Sequence, residues 1–334
     1  MHAVITGAAG LLGRHLTSRL VAQGWSVTAV VRETSRRNLI ELPSVKVHVC
    51  DLSRDELDAG VFRNADVMFH AAAAVTDWAP WSYFVANTIE ATRRVCRGMI
   101  AGGCRRLVHI STVGVYGRPR PTEPLREDCP YASIGRWDYY TNSKIQAEQI
   151  VWGHQHDRSL DVTVIRPAML YGPGDRGLIG RVIPLCQQRK LALVGNPQTL
   201  LPLVNVQDVV DALVRTAMSS SAIGEAFNVV NPEPVTQIDF FNTLAALVGA
   251  SPVRRCVPYR LAYAAGLAAE IIAHVRKSGR PPMITRYRVS LFGHPRIYST
   301  DKIQSKLGWE PKISFREGIQ QAVRWYLTQE HGSR

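Results

Sequence analysis

The sequence predicts an α/β fold: a doubly wound parallel sheet with a smaller C-terminal subdomain. Three observations predict it. The chain opens on a strand, a glycine turn and a helix. Short apolar runs then alternate with amphipathic stretches of about ten to fifteen residues, the pattern of βαβ units. Finally, 334 residues exceed one typical domain and suit a large α/β unit with a smaller partner.

Ala3-Val4-Ile5-Thr6 is an apolar run that reads as a buried strand, and Gly7-Ala8-Ala9-Gly10-Leu11-Leu12-Gly13 follows at once. Leu11, Leu12, Leu16 and Leu20 then recur at helical spacing. Such a unit binds a dinucleotide, as in the Rossmann fold: Gly7 permits the tight turn, Gly10 lets backbone approach a pyrophosphate, and Gly13 lets the helix pack closely. The free N–H groups of Leu11, Leu12 and Gly13 at the helix start meet the phosphates. The spacing is G-x-x-G-x-x-G, one residue longer than the commonest dinucleotide turn.

A second strand, Trp25 to Val31, ends at Arg32, where the adenosine ribose is met. A carboxylate there selects NAD, whereas an arginine accommodates a 2′-phosphate. Arg32 with Arg36 just beyond predicts NADP(H) as the preferred cofactor, and Glu33 keeps NAD(H) open. Val45 to Cys50 is a third strand, with Asp51 and Leu52 placed to contact the adenine. Asp66 to His70 is a fourth, running into Ala71, Ala72 and Ala73, whose small side chains let the cofactor lie close. Asn87 falls in the next helix, and Arg105 to Ile110 is a fifth strand ending in Ser111-Thr112.

A loop with Pro119, Pro121, Pro124 and Pro130 leads to Asp138-Tyr139-Tyr140-Thr141-Asn142-Ser143-Lys144, the start of a further helix. Tyr140 and Lys144 are four apart and share one helical face. An ammonium beside a phenol favours the phenolate, so the tyrosine pKa is expected to fall towards neutrality. A phenol so tuned exchanges a proton with a substrate oxygen. Thr112 or Ser111, at the neighbouring strand end, binds the same oxygen.

The bulk numbers set limits. An apolar fraction of 46% supports a substantial core, and a net charge of +13 favours anionic partners such as phosphates or an acidic membrane surface. The basic residues are scattered and form no nucleic-acid motif, which argues against nucleic acid as partner. Six cysteines without metal or disulfide spacing read as reduced thiols of a cytoplasmic protein. A core strand beginning at residue 2 or 3 leaves no room for a signal peptide. His70, His109, His154 and His156 lack metal spacing, so no metal is expected.

Together these residues resemble the extended short-chain dehydrogenase/reductase superfamily, of NAD-dependent epimerase/dehydratase type, over nearly the whole chain. The resemblance rests on Thr6 to Gly13, Asp51-Leu52, Ser111-Thr112 before Val115-Tyr116-Gly117, and Tyr140 with Lys144. It continues through Arg166-Pro167-Ala168-Met169-Leu170-Tyr171-Gly172 and Leu203 to Val210. The resemblance implies Tyr140 as acid/base, Lys144 as the group that binds the nicotinamide ribose, and Thr112 as the residue that orients the carbonyl. It also implies Pro167 and Ser111 beside the cofactor. Residues 1–175, rejoined by 203–232, would form the NAD(P)-binding Rossmann domain; 176–202 and 233–330 would form the substrate-binding subdomain. Family members often pair through helices near 90–100 and 140–150, so a homodimer is expected.

Within the superfamily, dehydratases carry an Asp-Glu pair after the threonine, where this chain has Val113 and Gly114. Sugar-nucleotide epimerases hold the substrate diphosphate with an arginine before the Val-x-Asp segment. Here that place reads Thr199-Leu200-Leu201-Pro202-Leu203. An epimerase with tightly bound NAD stays as the alternative, and an inactive nucleotide-binding regulator as an alternative of another class. The C-terminal half resembles the 3β-hydroxysteroid dehydrogenase-like branch, through Ala226 to Val235, Thr285 to Gly293 and Leu307-Gly308-Trp309-Glu310-Pro311. That branch implies hydride transfer between a hydroxyl and a ketone on a bulky apolar substrate, a 3β-hydroxysteroid or a long-chain β-keto acid.

Leu261 to Val275 is an apolar helix followed by Arg276, Lys277 and Arg280. It is too short and too interrupted to span a bilayer, but its composition allows peripheral membrane contact.

Overall fold

The structure, a computed structural model, describes residues 1–38, 44–117, 123–132 and 137–331; the side chains of 36–38, 330 and 331 lie outside the description. Among the described residues, seven strands form one parallel sheet. They are β1 (His2–Thr6), β2 (Ser26–Val31), β3 (Val45–Val49), β4 (Val67–His70), β5 (Arg106–Ile110), β6 (Asp161–Pro167) and β10 (Ala226–Val229). Their order is β10-β6-β5-β4-β1-β2-β3, and every ladder is parallel. Strand order therefore reverses between β1 and β4, the switch point at which doubly wound sheets open a ligand crevice. Pro119 and Pro121 lie outside the described residues.

Alternating side chains build two cores, one on each face, as a parallel sheet covered on both sides requires. Ala3 and Ile5 pack with Leu16 and Leu20 of α1 (Leu11–Ala22) and with Val209 and Leu213 of α6 (Val206–Met218). Val4, Met68 and Leu107 face the other way, onto Val95 and Met99 of α3 (Ala91–Gly102) and Val151 of α4 (Tyr139–His156). Before α3 lie a single turn, α2 (Trp81–Phe84), and a π-helical turn, Val85–Glu90, that carries Asn87.

A third core gathers α5 (Ile179–Gln187), α7 (Gln237–Leu247) and α11 (Phe315–His331) beside two short parallel ladders. One ladder joins β7 (Met169–Tyr171) to β9 (Leu203–Asn205), the other β8 (Leu193–Val194) to β11 (Cys256–Val257). Leu201 and Leu203 are buried in this core. The helix read at 261–275 is α8 (Tyr259–Val275), and it packs on α9 (Arg286–Gly293). Last, α10 (Asp301–Leu307) covers the β10 edge. Trp309 beyond it is fully buried and donates through Nε1 to the carbonyl of Asp208 (3.0 Å), whose carboxylate accepts from the N–H of Lys312 (2.9 Å).

Candidate active site

The glycine turn sits at the switch point. Gly7 has φ +69°, and a Cβ there would stand 2.9 Å from the backbone of Ala71 and Ala72. Only glycine lets the β1 turn lie against the β4 end. A Cβ on Gly13 would come within 2.2 Å of the Gly7 carbonyl oxygen, so α1 packs directly on the turn. Above Gly10 the only atom among the described residues that a Cβ would approach is that same carbonyl, at 3.2 Å, which leaves space over the turn. Gly10 is the N-cap of α1, and no side chain caps this end. The N–H groups of Leu11, Leu12 and Gly13 thus face the space above Gly10. Ser111 Oγ is buried without a hydrogen-bond partner among the described residues. A dinucleotide fits this cradle: it would bring phosphates to the α1 start and hydroxyls to an orphaned buried oxygen.

Other sequence-selected residues surround the cradle with varied engagement. Arg32 is exposed at the β2 end, its charge facing Asp51. The side chain of Arg36 lies outside the described residues. Asp51 is half-buried and accepts from the N–H (3.1 Å) and Oγ (2.7 Å) of Ser53; Leu52 is buried. Ala71, Ala72 and Ala73 follow β4 at the crevice, and Pro167 ends β6. Asn87 donates its amide back to the carbonyl of Tyr83 (2.9 Å).

Tyr140 and Lys144 lie one turn apart at the start of α4, whose N-cap Asp138 accepts from the N–H of Thr141 (3.1 Å). The phenol of Tyr140 lies close to Thr112, whose hydroxyl accepts from the N–H of Gly114 (3.0 Å). The structure thus brings Thr112, Tyr140 and Lys144 together at the C-terminal end of β5. Lys144 is buried, and its Nζ donates to the carbonyl of Ile110 (2.6 Å).

The expected fall in the tyrosine pKa is not what the structure shows. Burial pushes the Tyr140 phenol up to about 12; the nearby Thr112 hydroxyl pulls it down, but the charge of Asp138 adds to the rise. Lys144 is not among the groups that shift the phenol; its own pKa is pushed down to about 8 by burial, with Glu148 pulling it back up. Below the lysine, His70 and His109 are buried with rings 5.3 Å apart. Burial, then the charge of Lys144, holds His70 down to about 3 and His109 well below its ordinary value.

One buried pair braces this helix. Arg166 on β6 donates from Nη2 to Glu148 on α4 (2.7 Å) and from Nη1 to the hydroxyl of Tyr116 (2.7 Å). Tyr131 also donates to Glu148 (2.9 Å). Glu148 follows Lys144 by four residues, so Tyr140, Lys144 and Glu148 form one inward stripe of α4.

Sequence reasoning missed the cover over Tyr140. A cavity of about 20 Å³, room for about one water, is lined by Asp77, Phe84, Trp137, Asp138, Tyr140 and Tyr287. The Tyr287 ring on α9 meets that of Tyr140 edge-on, centroids 6.2 Å apart. Asp77 binds α9 through Thr285 Oγ1 (2.8 Å) and Arg288 (2.8 Å). Asp138 was legible as an acidic N-cap. Asp77 and Tyr287 meet across more than two hundred residues, and no local pattern marks such a contact.

A glycine turn at the switch point of a doubly wound sheet, with a Tyr–Lys helix beside it, defines the class: α/β proteins that depend on a nicotinamide dinucleotide. More narrowly, the chain belongs to the NAD dependent epimerase/dehydratase family, whose model matches residues 3–230. This bears out the resemblance to extended short-chain dehydrogenases/reductases. A 2-alkyl-3-oxoalkanoate reductase of Shewanella oneidensis is 27% identical over 329 residues, covering 95% of this chain and 84% of that protein. Sterol-4-alpha-carboxylate 3-dehydrogenase, decarboxylating, of Bos taurus is 25% identical over 96% of this chain and 91% of its own. The crystal structure of gox2253 superposes with a TM-score of 0.81 at 26% identity, covering 99% of this chain and 98% of that one. Among the described residues no group of side chains could hold a metal, and no helix is long and apolar enough to cross a membrane.

Proposed function

We propose that this chain interconverts a ketone and a hydroxyl on a bulky apolar substrate, using NADP(H) in preference to NAD(H). The observation that carries the reading is Tyr140 beside Thr112, with Lys144 one turn on and its Nζ on the carbonyl of Ile110 (2.6 Å), at the C-terminal end of β5. Bound there, a nicotinamide dinucleotide supplies the hydride. Gly7, Gly10, Gly13 and the N–H groups of Leu11 and Leu12 would hold its phosphates. Asp51 and Leu52 would meet the adenine, and Ala71, Ala72, Ala73 and Asn87 would line its path. Ser111, Lys144 and Pro167 would flank the nicotinamide ribose, and Arg32 with Arg36 would select the 2′-phosphate.

Thr112 and Tyr140 then grip one substrate oxygen, and Tyr140 gives it a proton as the alkoxide forms. Burial holds the phenol protonated at neutral pH, the form that can donate to a forming alkoxide. By their names, the two enzymes above act on substrates whose carboxylate sits on the carbon next to the oxygen-bearing one, on an alkyl chain or a sterol. We assign this chain the same substrate class, a β-keto acid with a long alkyl or polycyclic body. Residues 176–202 and 233–330 would hold that body, and two copies would pair through α3 and α4. Buried Leu201 and Leu203 in place of an arginine disfavour a sugar diphosphate.

The test follows absorbance at 340 nm with purified protein, NADPH or NADH, and an apolar β-keto acid. Wild type should consume NADPH faster, and Tyr140→Phe should abolish turnover while cofactor affinity stays within about threefold, since it removes the proton donor and little else. Near wild-type turnover in that variant refutes the mechanism. No consumption, with tightly bound NAD released on denaturation, would establish the epimerase instead.

A further inference from the structure

The outer face of α8 is an apolar stripe in solvent. Leu261, Ala265, Ala268, Ile272 and Val275 follow one another at helical spacing and all are exposed, Leu261 to 64% and Val275 to 78%. Ile271 beside them is 54% exposed. A soluble helix turns such a stripe inward, and here it faces out over its whole length. The exposed charges along this stretch of chain have one sign. Between residues 251 and 283, Arg254, Arg255, Arg260, Arg276, Lys277 and Arg280 are exposed. The single acid of that stretch, Glu270, is turned inward onto Arg286 (2.7 Å).

The same helix belongs to the cover over the candidate site. The Glu270–Arg286 pair ties α8 to α9, whose Tyr287 stands against Tyr140. Towards the sheet the cover is held by polar contacts: Thr285 and Arg288 on Asp77, and Trp78 Nε1 donating to the carbonyl of Ser278 (3.2 Å). Beneath this cover, beside Tyr140, lies the cavity with room for about one water.

We propose that α8 docks its apolar stripe on an anionic lipid bilayer, placing the cover of the Tyr140 site at the membrane surface, where the apolar substrate enters. The part concerning substrate rests on the function proposed above. Charge complementarity selects the occupant. A bilayer rich in acidic headgroups meets the basic flank favourably while the stripe sinks among the acyl chains. A second copy docked by two-fold symmetry would set the same basic flanks against each other.

Flotation of the full chain with vesicles tests this, using phosphatidylcholine alone and phosphatidylcholine mixed with phosphatidylglycerol. The mixed vesicles should carry wild type, and raised salt should weaken the association. Ile271→Glu/Ile272→Glu and, separately, Arg276→Glu/Lys277→Glu should each reduce vesicle partition about tenfold or more. These positions are exposed, and an unchanged circular dichroism spectrum and melting temperature would show the fold intact. Turnover of a long-chain β-keto acid presented in mixed vesicles should fall with partition. Wild type left unbound, or variants that partition as wild type does, overturns the proposal. A wild-type dimer that the stripe variant makes monomeric by light scattering, without vesicle binding, gives the stripe to a second copy and also overturns it. Flotation lost in the variants supports docking even where no ketone is reduced, a result that would count against the proposed reaction alone.

Discussion

Glu148→Gln tests what holds the candidate helix in place. Glu148 and Arg166 are both out of solvent, with side chains 0% and 5% exposed. Burial alone would lower the arginine pKa, but the carboxylate more than reverses this and raises it. The neutral amide leaves Arg166 charged and without its counter-ion. Removing one partner of such a pair costs about 3–5 kcal/mol. Unfolding entropy of about 2.1 cal/mol/K per residue over 334 residues comes to about 0.7 kcal/mol/K, so Tm should drop by about 4–7 °C. Calorimetry reads that drop. Glu148→Leu with Arg166→Met, which removes both charges, should recover most of it. A single variant melting within about 1 °C of wild type, well below the drop worked from the same entropy, would refute the reasoning. So would a double variant that is less stable than the single one.

Three further outcomes follow from the geometry. Gly13→Ala sets a Cβ against the Gly7 carbonyl and Ala8 Cα, so the turn must shift. Stability should fall by about 1–3 kcal/mol and NADPH binding by at least tenfold in a fluorescence titration; unchanged binding would show that the turn does not hold the dinucleotide. Arg32→Glu should move preference from NADPH towards NADH by about 10–100-fold in kcat/KM, the worth of one charge-assisted contact, and an unmoved ratio would remove Arg32 from cofactor choice. His70, buried, stays neutral down to about pH 3, whereas the unfolded chain protonates it near 6.5. The unfolded state therefore binds the extra proton between those values, and stability should fall by about 1.36 kcal/mol per unit as pH drops through that window. Urea midpoints at pH 7 and pH 5 read this, with a shallower dependence expected in His70→Gln; identical dependences would refute it.

Much of the nucleotide half was legible because its signals are local. The strand of residues 3–6, the glycine turn and the leucines at helical spacing declare themselves within twenty residues, and Tyr140 with Lys144 within five. The strands fell within a residue or so of their expected ends for the same reason. What was not legible depends on distant partners. Glu148 looks like a surface residue of α4 until Arg166 is brought beneath it, and Tyr287 meets Tyr140 only after the chain has folded back. The phenol pKa was misread because spacing reports the neighbouring ammonium, whereas burial, which dominates, is a property of the whole packing. The π-helical turn at 85–90 has no composition signature and was read as ordinary helix.

Trp309 has a consequence for the order in which the molecule is made. Its slot is formed by α6 and the sheet, yet the side chain that fills it leaves the ribosome long after both. Until then the β10 edge has no α10 over it, and Asp208 has no N–H of Lys312 to accept from. The β10 edge is thus closed only once residues 301–313 have been made, and the third core only once α11 follows.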